Sequence, residues 1–266
     1  MLAAMFTLAV FMLGILSFAS DRAQPDATQL QRCPALDSIP ILMYHHVGDW
    51  GDAKSDWAPW VVRPQDFDAQ LDWLAARHFH TVTFQELLAC RAGHGALPPN
   101  PVVLTFDDGW AEDAQIAKSH LDPRGMHGVF FVYSGAISPQ DNASGYLSWN
   151  QVRQLEAAGH EVQSHTVTHP RLTEVPPSQL VDELARSRVA IEEATGHRVE
   201  VLAYPYGAHD ERVVEATRRA GYALAVRADD EIGGGPSVPF RLPRFKVGYD
   251  EGIDVFARRM ADHSAK

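Results

Sequence analysis

A chain of 266 residues with 45% hydrophobic and 21% charged side chains is long enough for one large domain with a closed core, and its composition excludes a disordered or fibrous polymer. Lys and Arg number 23 against 34 Asp and Glu, a formal net charge of −11 with no dense basic run, so a phosphate backbone is repelled and nucleic acid is not an expected partner. Thirteen histidines against two cysteines direct any metal chemistry toward imidazole and carboxylate ligands rather than thiolates.

Residues 1–20 read as a signal peptide or a membrane anchor. No charged side chain occurs from Met1 to Ala19, the small residues Ser17 and Ala19 suit a signal peptidase, and the lack of Lys or Arg leaves retention as an anchor open. The expectation is export, to a periplasmic, extracellular or membrane-anchored position facing outside, with the membrane touched only through this segment. Residues 21–38, polar and carrying Pro25, read as a linker, and 39–266 as the folded domain. Cys33 and Cys90 are an even pair that an oxidising compartment could bridge or leave as thiols, because spacing says nothing about their separation in space. Asn142-Ala143-Ser144 fits a glycosylation sequon, a pattern short enough to recur by chance. No partner protein is inferable.

From Ile39 onward short apolar runs alternate with helical periods. Strand-like runs fall at Ile41–Tyr44, Thr81–Phe84, Val102–Phe106, Gly128–Val132, His160–Gln163, Val199–Tyr204, Tyr222–Val226 and Arg244–Val247. Between them, Phe67, Leu71 and Leu74 recur at helical spacing after Pro64. Thr83-x-x-Glu86 and Ser148-x-x-Gln151 read as capping boxes, Leu180, Leu184 and Ile191 mark a longer helix stopped by Gly196, and Asp210 caps another ending near Gly221. A strand followed by a helix, repeated seven or eight times, requires right-handed crossovers around one parallel sheet and predicts an α/β fold, a distorted (β/α) barrel. In such barrels chemistry sits at the C-terminal ends of the strands.

Three of those ends are polar in a telling way. Val102–Phe106 stops abruptly in Asp107-Asp108-Gly109-Trp110. Adjacent carboxylates repel, and a cation on one that leaves the other as a base resolves the conflict, although a solvated Asp-Asp-Gly turn has the same letters. After His160–Gln163 come His165 and His169, four residues apart and able to converge on one cation before Pro170 limits the turn. With Asp108 they make two imidazoles and a carboxylate, the donor set of a hydrolytic metal site. Tyr204-Pro205-Tyr206-Gly207 ends a third strand, where the backbone N–H of Tyr206 can meet a developing oxyanion or the segment can be a plain rigid turn. His45 and His46 close the first strand, one of them expected to be structural or exposed. Trp50, Trp57 and Trp60, with Trp110 and Trp149, offer faces for stacking sugar rings or for packing a long loop.

Thr105-Phe106-Asp107-Asp108-Gly109, His165-Thr166-x-x-His169 and Tyr204-Pro205-Tyr206-Gly207, in this order, resemble the motifs of the polysaccharide deacetylase (NodB-homology) family of carbohydrate esterases over roughly Ile39 to Val247. The opening Ile-Leu-Met-Tyr-His-His-Val is similar to the branch of poly-β-1,6-N-acetylglucosamine N-deacetylases of biofilm systems. The resemblance implies a divalent metal, most often zinc, on Asp108, His165 and His169. It implies Asp107 as general base, and Tyr206 assisting at the oxyanion. It places Tyr204, Pro205, Gly207 and Trp110 around the substrate. The late histidine motif of the family is missing here, and Ile41-x-Met43-x-His45 fits its form, so the general acid is assigned to His45. Where many members carry an arginine before the third motif this chain has Ala203, and Arg244 is the candidate to orient Asp107 in its place, an ordinary ion pair being the alternative. The implied reaction is metal-dependent removal of acetyl groups from an N-acetylglucosamine polysaccharide. Peptidoglycan, chitin-type oligomers, a small acetylated molecule, or a binding module without turnover remain open.

Overall fold

The computed structural model describes residues 33–49, 56–141, 145–228, 239–249 and 251–264. The segments expected to be leader and linker, through residue 32, together with Trp50 and Asn142-Ala143-Ser144, lie outside the described residues. Seven parallel strands form the frame: β1 (Ile41–Tyr44), β2 (Pro101–Asp108), β3 (Gly128–Val132), β4 (Glu161–Ser164), β5 (Val201–Ala203), β6 (Leu224–Val226) and β7 (Phe245–Lys246). Their order across the sheet is β7-β1-β2-β3-β4-β5-β6. Leu242 pairs with Val226 at one edge, and three residues later β7 pairs with β1 at the other, so a single extended segment spans the gap between the first and last strands. The result is the distorted (β/α) barrel expected from the alternation.

Around it run α1 (Pro64–Ala76), α2 (Phe84–Arg91), α3 (Trp149–Ala157), α4 (Pro177–Thr195), α5 (Glu211–Arg219) and α6 (Ile253–Ser264). Both capping boxes form, Asp210 accepts the Val213 N–H at 2.8 Å, and Gly196 ends α4 at φ 74°. The predicted strand Thr81–Phe84 is corrected: the strand is His80–Thr81, and α2 begins at Phe84. Thr83 Oγ1 accepts the Glu86 N–H and Glu86 Oε2 accepts the Thr83 N–H, so the cap outweighs the β-branched run.

Period-two alternation divides the core into two. Leu104, Phe106, Phe130 and Val132 face outward onto the helices, where the Phe106 ring stacks between Tyr44 and Phe130 at 5.5 and 4.9 Å. Val103, Val129, Phe131, Val201 and Val226 face inward, closed at the N-terminal end of the barrel by Leu36, Ile39, Phe84 and Leu87. Truncating a ring such as Phe106 to Ala costs about 3–5 kcal/mol at so enclosed a position. Cys33 packs on this closure beside Cys90. The two thiols are unbridged and hydrogen-bonded to each other, and burial with Cys90 alongside pushes the Cys33 thiol up to about 11. The sheet thus leaves its C-terminal edge as the place where polar side chains can gather.

Candidate active site

Alternation along β2 decides what each aspartate meets. Val103, Thr105 and Asp107 share the inward face, while Asp108 sits at the lip with φ 78°. Gly109 follows at φ 74°, and a Cβ there would lie 2.9 Å from Val132 Cγ1, so only glycine lets the chain turn against β3. Asp107 is buried and accepts two parallel bonds from Arg244, Nη1 to Oδ1 and Nη2 to Oδ2, both 2.6 Å. Arg244 is itself fixed: Nε donates to the Arg227 carbonyl at 2.8 Å and Nη1 to Thr105 Oγ1 at 3.1 Å, while Thr105 donates to the Leu42 carbonyl at 2.7 Å. Burial would push the Asp107 carboxyl up, but the Arg244 guanidinium, aided by His165 and His45, holds it well below the usual carboxylate range.

Asp108, His165 and His169 converge. Asp108 Oδ1 lies 3.5 Å from His165 Nε2 and 3.3 Å from His169 Nε2, and the two Nε2 atoms are 3.1 Å apart. His165 Nδ1 donates to the Ala203 carbonyl at 2.8 Å, which leaves the Nε2 lone pair aimed at the cluster. Trp110 Nε1 donates to the other Asp108 oxygen at 3.2 Å. Burial, then the neighbouring Asp107 charge, pushes the Asp108 carboxyl up to about 7; burial lowers His165 to about 3 and also lowers His169. One ligand atom from each residue lies within 4.8 Å of the others, the single such group of three among the described residues. Two neutral imidazoles facing a carboxylate are a donor set that fits a divalent cation.

A cavity of about 450 Å3 opens over this cluster. His45, Asp107, Trp57, Trp60, Trp110 and Tyr206 are among the residues that line it. The His45 ring lies 4.6 Å from Trp60, its Nδ1 is enclosed without a hydrogen-bond partner, and burial lowers it to about 4 despite the Asp107 charge. His46 is buried, its Nδ1 2.9 Å from Glu112 and its ring 4.5 Å from Trp110. Tyr204 and Tyr206 reach the cavity, Tyr206 with φ 58°, an exposed ring 4.6 Å from His169, and Arg171 over its face at 4.5 Å. Pro205 and Gly207 shape the turn behind it; a Cβ on Gly207 would lie 3.1 Å from the Ala228 nitrogen. Trp149 stands at the start of α3 against the outer core, away from the cavity.

Sequence reading passed over Glu183, Glu112, Tyr133 and Tyr146. Tyr146 stacks on Trp110 at 4.7 Å, and Tyr133 lies 5.4 Å from His169. Glu183 left a legible trace, a charge inside the buried stripe Leu180, Leu184, Ser187 and Ile191 of α4. The tyrosines left none, since aromatic residues in loops are common.

A polysaccharide deacetylase family model matches residues 94–225, the span holding both aspartates, both histidines and the Tyr-Pro-Tyr-Gly turn. The chain belongs to the polysaccharide deacetylase (NodB-homology) family of carbohydrate esterases and is a hydrolase of that kind. It is 24% identical to the YxkH protein of Bacillus subtilis over 79% of this chain and 71% of that one. Among solved structures it resembles IcaB of Ammonifex degensii, with 25% identity, a TM-score of 0.68, and coverage of 85% of this chain and 97% of that one. The Streptococcus pyogenes deacetylase PplD, solved with acetate, shares the fold at 22% identity and a TM-score of 0.75, over 84% of this chain and 97% of that one.

Proposed function

We propose that the protein is a metal-dependent N-deacetylase acting outside the cytoplasm on an N-acetylglucosamine polysaccharide, poly-β-1,6-N-acetylglucosamine in particular. The observation that carries this is the meeting of Asp108, His165 and His169 beside an Asp107 held ionised by Arg244. A divalent ion, zinc by preference, would be held by those three residues and would supply the Lewis acidity that activates water and polarises the acetyl carbonyl.

The remaining work falls to the chain. Arg244 keeps Asp107 unprotonated and fixed in orientation, and each carboxylate oxygen retains a second lone pair with which to take the proton of the attacking water. His45, on the same wall, rests neutral; the proton that Asp107 takes from the attacking water is passed to it and then to the departing amine, and the Asp107 charge favours the protonated imidazole in between. The backbone at Tyr206 assists the oxyanion, and Trp57, Trp60 and Trp110 give aromatic faces to sugar rings. The resemblance of the opening Ile-Leu-Met-Tyr-His-His-Val to the poly-β-1,6-N-acetylglucosamine N-deacetylase branch favours the β-1,6 polymer. No helix among the described residues is long and apolar enough to cross a membrane; export rests on the apolar first 20 residues.

Acetate release from β-1,6 and β-1,4 N-acetylglucosamine oligomers, with and without chelator, is the test. Chelator-sensitive release from the β-1,6 series supports the whole reading. Release confined to β-1,4 oligomers or peptidoglycan replaces the substrate, release that ignores chelator removes the metal, and binding without release removes catalysis.

A further inference from the structure

The turn carrying both histidines is held from outside. Thr166 at φ 74° and His169 at φ 58° are non-glycine residues in the left-handed region, a conformation that costs on the order of 1 kcal/mol each and persists only where the surroundings impose it. Inside the turn, the His169 N–H donates to Thr166 Oγ1 at 3.0 Å. Pro170 then prevents continuation as a regular helix.

Two elements clamp the middle of the turn. On one side the Ser134 N–H donates to the Thr166 carbonyl at 3.0 Å and the Gly135 N–H to the Val167 carbonyl at 2.8 Å. A Cβ on Gly135 would lie 2.5 Å from that carbonyl oxygen, so the approach requires glycine. On the other side stands Glu183 of α4. Its Oε2 accepts the N–H groups of both Val167 and Thr168 at 2.9 Å, and its Oε1 accepts the Thr168 hydroxyl at 2.6 Å. The carboxylate is 5% exposed and reaches the turn from 15 residues along the chain. Three donors on one buried carboxylate are charge-assisted bonds in a medium where a lost partner is costly.

We propose that Glu183 is a positioning residue for the metal pair: by gripping the two peptide N–H groups between His165 and His169 it sets the spacing of the two imidazoles, and so the metal affinity, without touching the metal. This rests on the metal-dependent reading above. Outer partners of ligating groups commonly contribute ~10–100-fold in affinity. Glu183 differs from the usual case in acting through the backbone between two ligands rather than on either ring.

The test uses the full chain, stripped of metal and titrated with zinc against a chromophoric chelator, with the thermal midpoint of the metal-free form measured in parallel. Glu183→Ala is expected to weaken zinc ~10–100-fold. Glu183→Gln, whose carbonyl still accepts both N–H groups and whose amide can donate to Thr168 Oγ1, is expected to restore most of that affinity. Leu180→Ala, a cavity on the same helix face, is expected to lower the midpoint and leave zinc affinity in place. Equal weakening by Glu183→Ala and Leu180→Ala, or no weakening by Glu183→Ala, overturns the proposal. Should Glu183→Ala fail to fold, Glu183→Asp, one methylene too short to reach both N–H groups, decides in its place: unchanged zinc affinity overturns the proposal and a loss supports it. Wild-type protein that binds no zinc overturns the metal reading, and this inference with it.

Discussion

The two ends of the barrel both bury polar side chains, and they do so in opposite ways. At the N-terminal end Glu161, Gln163 and His160 are each answered within the protein. Glu161 accepts from the Phe84 N–H and from Gln163 Nε2, both at 2.6 Å, and Gln163 Oε1 accepts the N–H groups of Glu200 and Val201 where β4 and β5 share a single paired register. His160 Nδ1 accepts from the Gly128 N–H, and its Nε2 donates to Asp122. At the C-terminal end His45 Nδ1 is unanswered, and two imidazole nitrogens face one another and a carboxylate. Saturated polar groups complete a fold, whereas convergent unsaturated ones ask for a ligand.

The sharpest way to break that contrast is His165→Ala. Removing one ligand is expected to abolish acetate release with metal added back, while the denaturation midpoint shifts little beside the loss of activity. Next comes Arg244→Met, which strands a buried carboxylate. It is expected to cost about 3–5 kcal/mol in denaturant unfolding and to lower kcat through a misoriented Asp107. A pH series gives the third measure. Because burial and the Asp107 charge push the Asp108 carboxyl up to about 7, zinc at the proposed site would have to displace a proton below that pH, and the apparent affinity from chelator competition is expected to fall ~10-fold per pH unit as pH drops below 7.

The smallest effect probes the other end of the barrel. Burial raises the Glu161 carboxyl to about 8, above its unfolded value, so the folded state retains a proton that the unfolded state loses between pH 4.5 and 8. Wild-type stability at this site therefore declines as pH rises through that window, by at most about 1.4 kcal/mol per pH unit. Glu161→Gln has no such proton, so the stability difference between the two proteins is expected to move in the variant's favour from pH 5.5 to pH 8. A difference independent of pH in thermal unfolding would show that Glu161 ionises as freely in the fold as outside it.

Much of the site was legible because its parts are local. The buried run before Asp107, the two-residue step from Asp108 to Trp110, and the four-residue spacing of His165 and His169 are properties of short segments, and strand alternation by itself puts Asp107 and Asp108 on opposite faces. Arg244 could be named only through the family resemblance, since it reaches Asp107 across 137 residues. Glu183 and the Glu112–His46 pair were not named at all, because the distances that make them matter arise when helices dock on the sheet. The misread strand at Thr81–Phe84 had a different origin: β-branched residues and a helix cap overlapped, and the cap's two hydrogen bonds won.

The amino-acid order by itself determined the alternation of strands and helices, which residues of a strand share a face, and the chemical types gathered at the strand ends, because these follow from periods of two and about 3.6 residues and from the order of the residues along each segment. Only the tertiary structure decided which of those residues meet. Closing the sheet through Leu242 brings Arg244 onto Asp107, and packing α4 against β4 brings Glu183 under the histidine turn. Such meetings depend on contacts between residues far apart in the chain, and no local period encodes them.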